Sequence, residues 1–210
     1  MSFIAQYSIV YRLYVGDFFM AGSKEAEIAF FARTTSTKSA VKAARRNAQV
    51  PCIVYSQGQV GTVGLVSRIE IEAVLRKTET GFLPTTIFIL KDQAGKSRRC
   101  IVKEIQYNPT TYQVTHLDFF ELIPDRKVCV KVPLQCLGQA ECVGIKAGGF
   151  LRQVKLHIPV SCLPKDIPSH FEVDVVNVDI RQVKCVSDLV CPKDVEFLLE
   201  PKEVVATIVK

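Results

Sequence analysis

Short stretches in which apolar and polar residues alternate with a period of two run through most of this 210-residue chain, and two stretches carry the wider spacing of a helix face. Ile28–Arg33 reads as an opening strand, Cys52–Tyr55 as a second and Thr62–Val66 as a third, with Ser56-Gln57-Gly58 as a turn between the last two. Ser39–Asn47 reads as a helix whose Val41, Ala44 and Ala48 line one side. Ser67 followed three residues later by Glu70 predicts a capping box, opening a short amphipathic helix through Ile69, Ala73, Val74 and Leu75 to about Lys77. Thr85–Lys91 and Arg98–Tyr107 form a hairpin pattern around a Gly95-containing loop with a basic rim of Lys91, Lys96, Arg98 and Arg99. Asn108-Pro109 breaks that run, and Gln113–Leu122 resumes as a strand with His116 and Asp118 on one face and Leu117 and Phe119 on the other.

After Ile123-Pro124-Asp125-Arg126 the rhythm continues without a long helical pattern. Val128–Cys136, Phe150–Leu163, Phe171–Val178, Val183–Leu189, Glu196–Glu200 and Val204–Val209 all read as strands. The stretch Gly144 to Gly149 lacks a phosphate-loop arrangement and reads as a turn or hinge. The expected fold is therefore mainly β: a first domain over residues 20–122 with two helices, then a second all-β domain over residues 123–210.

Charge separates these halves. From Met20 to Leu122 there are 14 Lys and Arg against 9 Asp and Glu, whereas from Ile123 onward the counts are 12 and 11. A polyanionic partner is expected on the first half, and a packing or protein-contact role suits the second. The basic excess is concentrated in Lys38–Arg46, where Lys38, Lys42, Arg45 and Arg46 fall at i, i+4, i+7 and i+8 of the predicted helix. Two readings of that ridge stand at this point, a solvated surface face and a phosphate-binding face. Arg33 and Lys103 add cations, while Tyr55, Gln106, Tyr107, His116 and Asp118 can stack on bases or hydrogen-bond to bases and ribose hydroxyls.

Other chemistries find little footing. The eight cysteines show no C-x-x-C or C-x-x-H spacing, and Cys136/Cys142 and Cys185/Cys191 are each separated by five residues. They are expected to be reduced, small buried hydrophobes, with no metal site. His116-Leu117-Asp118 is a His–carboxylate pair at strand spacing with no nucleophile beside it, so no catalytic set and no enzyme is expected. His157 and His170 read as surface or packing residues, and no cofactor motif is present. Met1–Phe19 is apolar but has no basic residue ahead of its apolar run and is interrupted by Arg12 and Asp17, so neither an export signal nor a membrane span is expected. Met20-Ala21-Gly22-Ser23-Lys24 reads as a natural start, which makes residues 1–19 an N-terminal extension attributed to a mis-assigned start codon.

Three stretches together resemble one family. Arg33 through Tyr55, with its lysine, basic helix and Val-Pro-Cys-Ile-Val-Tyr strand, is similar to the opening of the bacterial large-subunit ribosomal protein twenty-five family, which binds 5S ribosomal RNA. Val102-Lys103-Glu104-Ile105-Gln106 and His116-Leu117-Asp118-Phe119 resemble its second signature. Gly144–Gly149, Cys162–Pro168, Phe171–Val175 and Val186–Leu189 resemble the added domain of its long, CTC-type branch. The resemblance implies a small six-stranded β-barrel that grips 5S RNA, followed by a second β domain packed beside it on the cytoplasmic ribosome. It implies an RNA face of Arg33, Lys38, Lys42, Arg45, Tyr55, Lys103, Gln106, His116 and Asp118, to which the basic ridge itself adds Arg46. It also implies neighbouring large-subunit proteins as partners, a monomer within the ribosome, no membrane and no catalysis.

Two departures stand out. Thr37-Lys38-Ser39 occupies a loop that is usually glycine-rich, and Tyr107-Asn108-Pro109 replaces the usual Arg-His-Pro. Arg46, by its charge, and Tyr107, by stacking, are the candidates to compensate for the missing arginine. A stress-related binding module acting off the ribosome is the alternative function.

Overall fold

A computed structural model of the chain describes residues 25–33, 37–79, 81–93, 95–192 and 194–210. The proposed extension 1–19, the start at Met20 and most of the Thr34–Thr37 loop lie outside the described residues.

Six strands close a barrel: β1 Glu25–Ala32, β2 Gln49–Tyr55, β3 Thr62–Ser67, β4 Ile87–Asp92, β5 Ser97–Tyr107 and β6 Val114–Glu121, in the order β1-β3-β2-β6-β5-β4. Two parallel pairings complete it, β1 with β4 and β2 with β6. Alternation fills the interior with Ile28, Phe30, Val50, Cys52, Val54, Val66, Phe88, Leu90, Cys100, Val102, Leu117 and Phe119. Pro51 is tolerated in β2 because pairing with β6 begins only at Cys52, beyond the missing donor. At Gly64 the barrel wall comes so close that an added Cβ would lie 2.2 Å from the Phe30 ring.

Helix α1, Lys38–Arg46, buries Ala44, half-buries Val41 and docks on β2; Ala48, also half-buried, lies in the following turn at a positive φ of 55°. Helix α2, Arg68–Lys77, departs from expectation. Ile71 is its buried residue and Ile69 is exposed, because the helix meets the barrel one side-chain row away from the predicted face. Nor does the capping box form: Ser67 makes no side-chain cap, and Glu70 Oε2 instead accepts from the Ala29 N–H at 3.1 Å, fastening α2 to β1. Most of the predicted basic rim of the β4–β5 hairpin is neutralised, since Lys91, Arg99 and Arg98 pair with Glu27, Glu25 and Asp92.

The second half holds two further sheets. β10 Phe171–Asp174, β7 Val128–Leu137, β9 His157–Cys162 and β12 Val195–Phe197 form one, and β11 Val183–Cys185, β13 Val204–Val209 and β8 Phe150–Gln153 form the other. The predicted strand Phe150–Leu163 is thus two strands in different sheets, parted at Val154-Lys155-Leu156. Gly144–Gly149 is not a loose hinge: Val143–Lys146 is a helical turn, α3, and Gly144 and Gly149 sit against Ile208 where a Cβ would approach within 2.9 Å and 2.7 Å.

The halves share apolar surface. Ile87 and Ile101, paired across β4 and β5, point out of the barrel and are buried with Leu122 in the second half's core beside Val128, Val130, Val132 and Ile158. His157 Nε2 contacts Gly81 O at 3.2 Å, Thr85 Oγ1 donates to Ser169 O at 3.2 Å, and the His170 ring lies 5.7 Å from that of Phe82. Both histidines are therefore packing residues at the seam.

All eight cysteines are free thiols; Cys52, Cys100, Cys142 and Cys162 are buried, whereas Cys129 and Cys191 are exposed. Burial pushes the Cys52 and Cys100 thiols up to about 12, with Glu121 adding to the rise at Cys100 and Arg33 partly offsetting it at Cys52. The folded state thus favours the protonated thiol. This stabilisation is complete below the ordinary thiol value of about 8.5 and is lost as pH rises from there toward 12. The thermal midpoint, followed by circular dichroism, is expected to fall along an alkaline limb that Cys100→Ala makes shallower; an identical limb in the variant would contradict this.

Candidate nucleic-acid interface

The outer surface of β2, β6 and β5, three consecutive barrel strands, carries most of the polar residues singled out from the sequence. Parallel pairing sets Ile53 opposite Asp118 and Tyr55 opposite Phe120, and antiparallel pairing sets Glu104 opposite Asp118 and Gln106 opposite His116. The Tyr55 ring meets Phe120 edge-on at 5.6 Å. Its phenol is held above its ordinary value, first by burial and then by the nearby charges of Asp118 and Glu104, so it stays a hydrogen-bond donor. His116 Nδ1 lies 2.8 Å from Asp118 Oδ1, a close approach outside hydrogen-bond alignment, and both side chains are half-buried. The Gln106 side chain is exposed, while its backbone oxygen accepts from Thr115 Oγ1 at 3.0 Å.

Helix α1 borders this face. Arg45 reaches across to β6, with Nε and Nη2 donating to Thr115 O at 3.2 and 3.0 Å. Its guanidinium is thus largely committed to seating the helix. Lys38, Lys42 and Arg46 are exposed and make no hydrogen bond or ion pair among the described residues. Electrostatically, α1 begins badly: Thr37 makes no side-chain cap, the first turn has no acidic residue, and Lys38 opposes the positive end of the helix dipole. Each of these features is relieved by an anion near the first turn. Arg33 follows β1, its N–H donating to Val63 O at 3.1 Å; its Nε is buried with no hydrogen-bond partner among the described residues.

Lys103 stands apart from the other candidates. A register shift between Val102 and Glu104 inserts it as an extra residue in β5. The bulge lets Val102 and Ile105 both pack toward the barrel interior and turns Glu104 outward beside Asp118. Strict alternation would have put Lys103 and Gln106 on opposite faces. The Lys103 ammonium donates instead to Cys129 O across the seam and lies 5.1 Å from the centroid of the Phe120 ring. Burial lowers its pKa, Cys129 raises it and Lys131 lowers it further.

Two residues at this face were not singled out from the sequence. Glu104 escaped because the bulge that exposes it breaks parity without a glycine to mark it. Arg68, at the start of α2, donates from Nη1 to Gln113 Oε1 at 3.2 Å and joins the helix to the β5–β6 connection. It also pairs with Glu72 at 3.8 Å, and that i,i+4 spacing reads in the sequence as an ordinary helix ion pair.

Among the described residues there is no cluster of three or more metal-ligating side chains and no helix long and apolar enough to cross a membrane. Comparison with known proteins gives a consistent result for both halves. A profile of the Ribosomal L25p family matches residues 28–119, and one for the C-terminal domain of ribosomal protein TL5 matches residues 127–210. Large ribosomal subunit protein bL25 of Chlamydia pneumoniae is 38% identical over 182 residues, covering 87% of this chain and 98% of that protein. Its counterpart in Chlamydia muridarum is 37% identical over 185 residues, covering 88% and 99%. A third, from Chlamydia trachomatis serovar L2, is 37% identical over 184 residues with the same coverage. Matched through its barrel and its second half, and aligned with these relatives over nearly their whole length, the chain belongs to the ribosomal L25p family.

Proposed function

We propose that the protein is a structural, non-enzymatic constituent of the large ribosomal subunit in the cytoplasm, and that its barrel half binds 5S ribosomal RNA. The observation that carries this reading is the pairing of three exposed cations on α1, Lys38, Lys42 and Arg46, which have no ion-pair partner among the described residues, with an adjoining strand face of hydrogen-bonding groups. The cations and the unsatisfied first turn of α1 supply phosphate contacts, which give affinity and register. Arg33 adds a cation whose buried Nε has no hydrogen-bond partner among the described residues. Tyr55, Gln106, His116 and Asp118 supply donors and acceptors suited to base edges and to the ribose hydroxyls that distinguish RNA. Arg45 seats the helix beside them, and Lys103 contributes charge at the border with the second half. The second half, nearly neutral, is the side that faces neighbouring ribosomal proteins.

Titration of the full chain with 5S ribosomal RNA over a salt series tests this. Log K is expected to fall linearly with log salt, by about 0.7–0.9 for each phosphate contact. Binding should exceed that to an unrelated structured RNA of equal length. Equal affinity for both RNAs would rule out the 5S assignment.

A further inference from the structure

The connection between β5 and β6 is a built loop rather than a slack one. Asn108 Oδ1 accepts from the Thr110 and Thr111 N–H groups at 2.9 and 3.4 Å, Asn108 O accepts from Tyr112 N–H, and Asn108 N–H donates to Gln113 O, both at 2.8 Å. Its feet are tied to both helices, through Arg45 to Thr115 O and Arg68 to Gln113. At its end Tyr112 has φ +54°, in the left-handed region that glycine and asparagine occupy readily and an aromatic residue only against a steric penalty. Yet Tyr112 is 81% exposed, so packing does not repay that penalty, and Tyr107 at the foot of the loop is 49% exposed.

The loop's hydrogen bonds hold Tyr112 in this conformation, and the result is an exposed, rigidly mounted aromatic ring of the kind that strained backbone supplies at ligand sites. Resting on the 5S reading, we infer that Tyr112 is a stacking platform for one unpaired base of the bound RNA, lying just beyond the strand face that carries Gln106 and His116. Bases in a continuous duplex are already stacked and cannot use such a ring, whereas an unstacked base in a bulge or loop can. Asn108 acts as a positioning residue, holding the ring in place before the RNA arrives so that little ordering cost remains on binding. The sequence departure at Tyr107-Asn108-Pro109 thereby exchanges cationic groups for an aromatic loop.

The test uses the full chain and 5S ribosomal RNA. Tyr112→Ala is expected to weaken binding about 5- to 100-fold with the salt slope unchanged, since stacking releases no counterions. Tyr112→Phe should bind like wild type, because the ring face and not the hydroxyl is used. Tyr112→Gly should raise the thermal midpoint by removing the strain while still losing affinity, which separates folding from binding. The chain contains no tryptophan, so Tyr112→Trp places a sole indole on the loop, and its emission should be quenched when RNA is added. Wild-type affinity in Tyr112→Ala, or unquenched emission in Tyr112→Trp, would overturn the stacking site and leave the 5S reading intact. Failure of the wild-type chain to discriminate 5S ribosomal RNA would overturn both.

Discussion

Replacing Lys38, Lys42 and Arg46 together by glutamine is expected to weaken binding to 5S ribosomal RNA by about 10²–10³-fold at 0.1 M salt and to make the salt slope shallower by two to three units. The size follows from counterion release. Each phosphate contact removed takes about 0.9 from the slope, and the same amount from log K for each tenfold of salt below 1 M. Stability should change little, because all three side chains are exposed and without partners among the described residues, and glutamine keeps a helix propensity close to that of lysine. Arg45→Gln provides the contrast. Its guanidinium holds Thr115 O, so the variant should lose affinity through displacement of α1, with at most one unit of slope. A triple variant with an unchanged slope would remove the helix from the interface.

Gly64→Ala is expected to destabilise the fold by about 3 kcal/mol or more, the upper end for overpacking a closed core. The new Cβ would stand 2.2 Å and 2.4 Å from Cε2 and Cζ of Phe30 and 3.0 Å from Phe31 O. Phe30 is 2% exposed inside the barrel, and Gly64 is held between β1 and β2 by its pairing with Ala32 and Cys52, so neither partner has room to retreat. For a chain of this size such a loss lowers the thermal midpoint by roughly 6–12 °C. Phe30→Leu in the Gly64→Ala background should restore part of it, giving a coupling that the two single substitutions do not predict. A wild-type midpoint in Gly64→Ala would show that the barrel wall yields there.

The barrel was legible where one rule decided each residue. Alternation in β6 separated His116 and Asp118 from Leu117 and Phe119, and the apolar side of Lys38–Arg46 announced the docking of α1. Legibility failed where a side chain answered to a distant partner. Glu70 looked like a local cap because Ser67 stood three residues before it, but the unpaired N–H of Ala29, 41 residues away, took its carboxylate. Ile69 was placed inward by helical spacing alone, and tertiary contact chose Ile71. Phe150–Leu163 carried one unbroken β signal, since residues crossing from one sheet to another keep the same apolar content. On the candidate interface, the residue types could be read directly, but the commitment of Arg45 and Lys103 to backbone carbonyls could not. Those carbonyls, on Thr115 and Cys129, leave no trace in side-chain chemistry.

Ile87, Ile101 and Leu122 lend the outward-facing bonds between the halves a further meaning. A barrel cut free after Leu122 would present these three side chains to water, and the second half alone would lose their contribution to its core. The chain's two regions therefore share apolar burial, and a change that loosens this shared core is expected to be felt in both. A displacement of the second half is expected to reach the barrel through this packed apolar contact, since Ile87 and Ile101 belong to both.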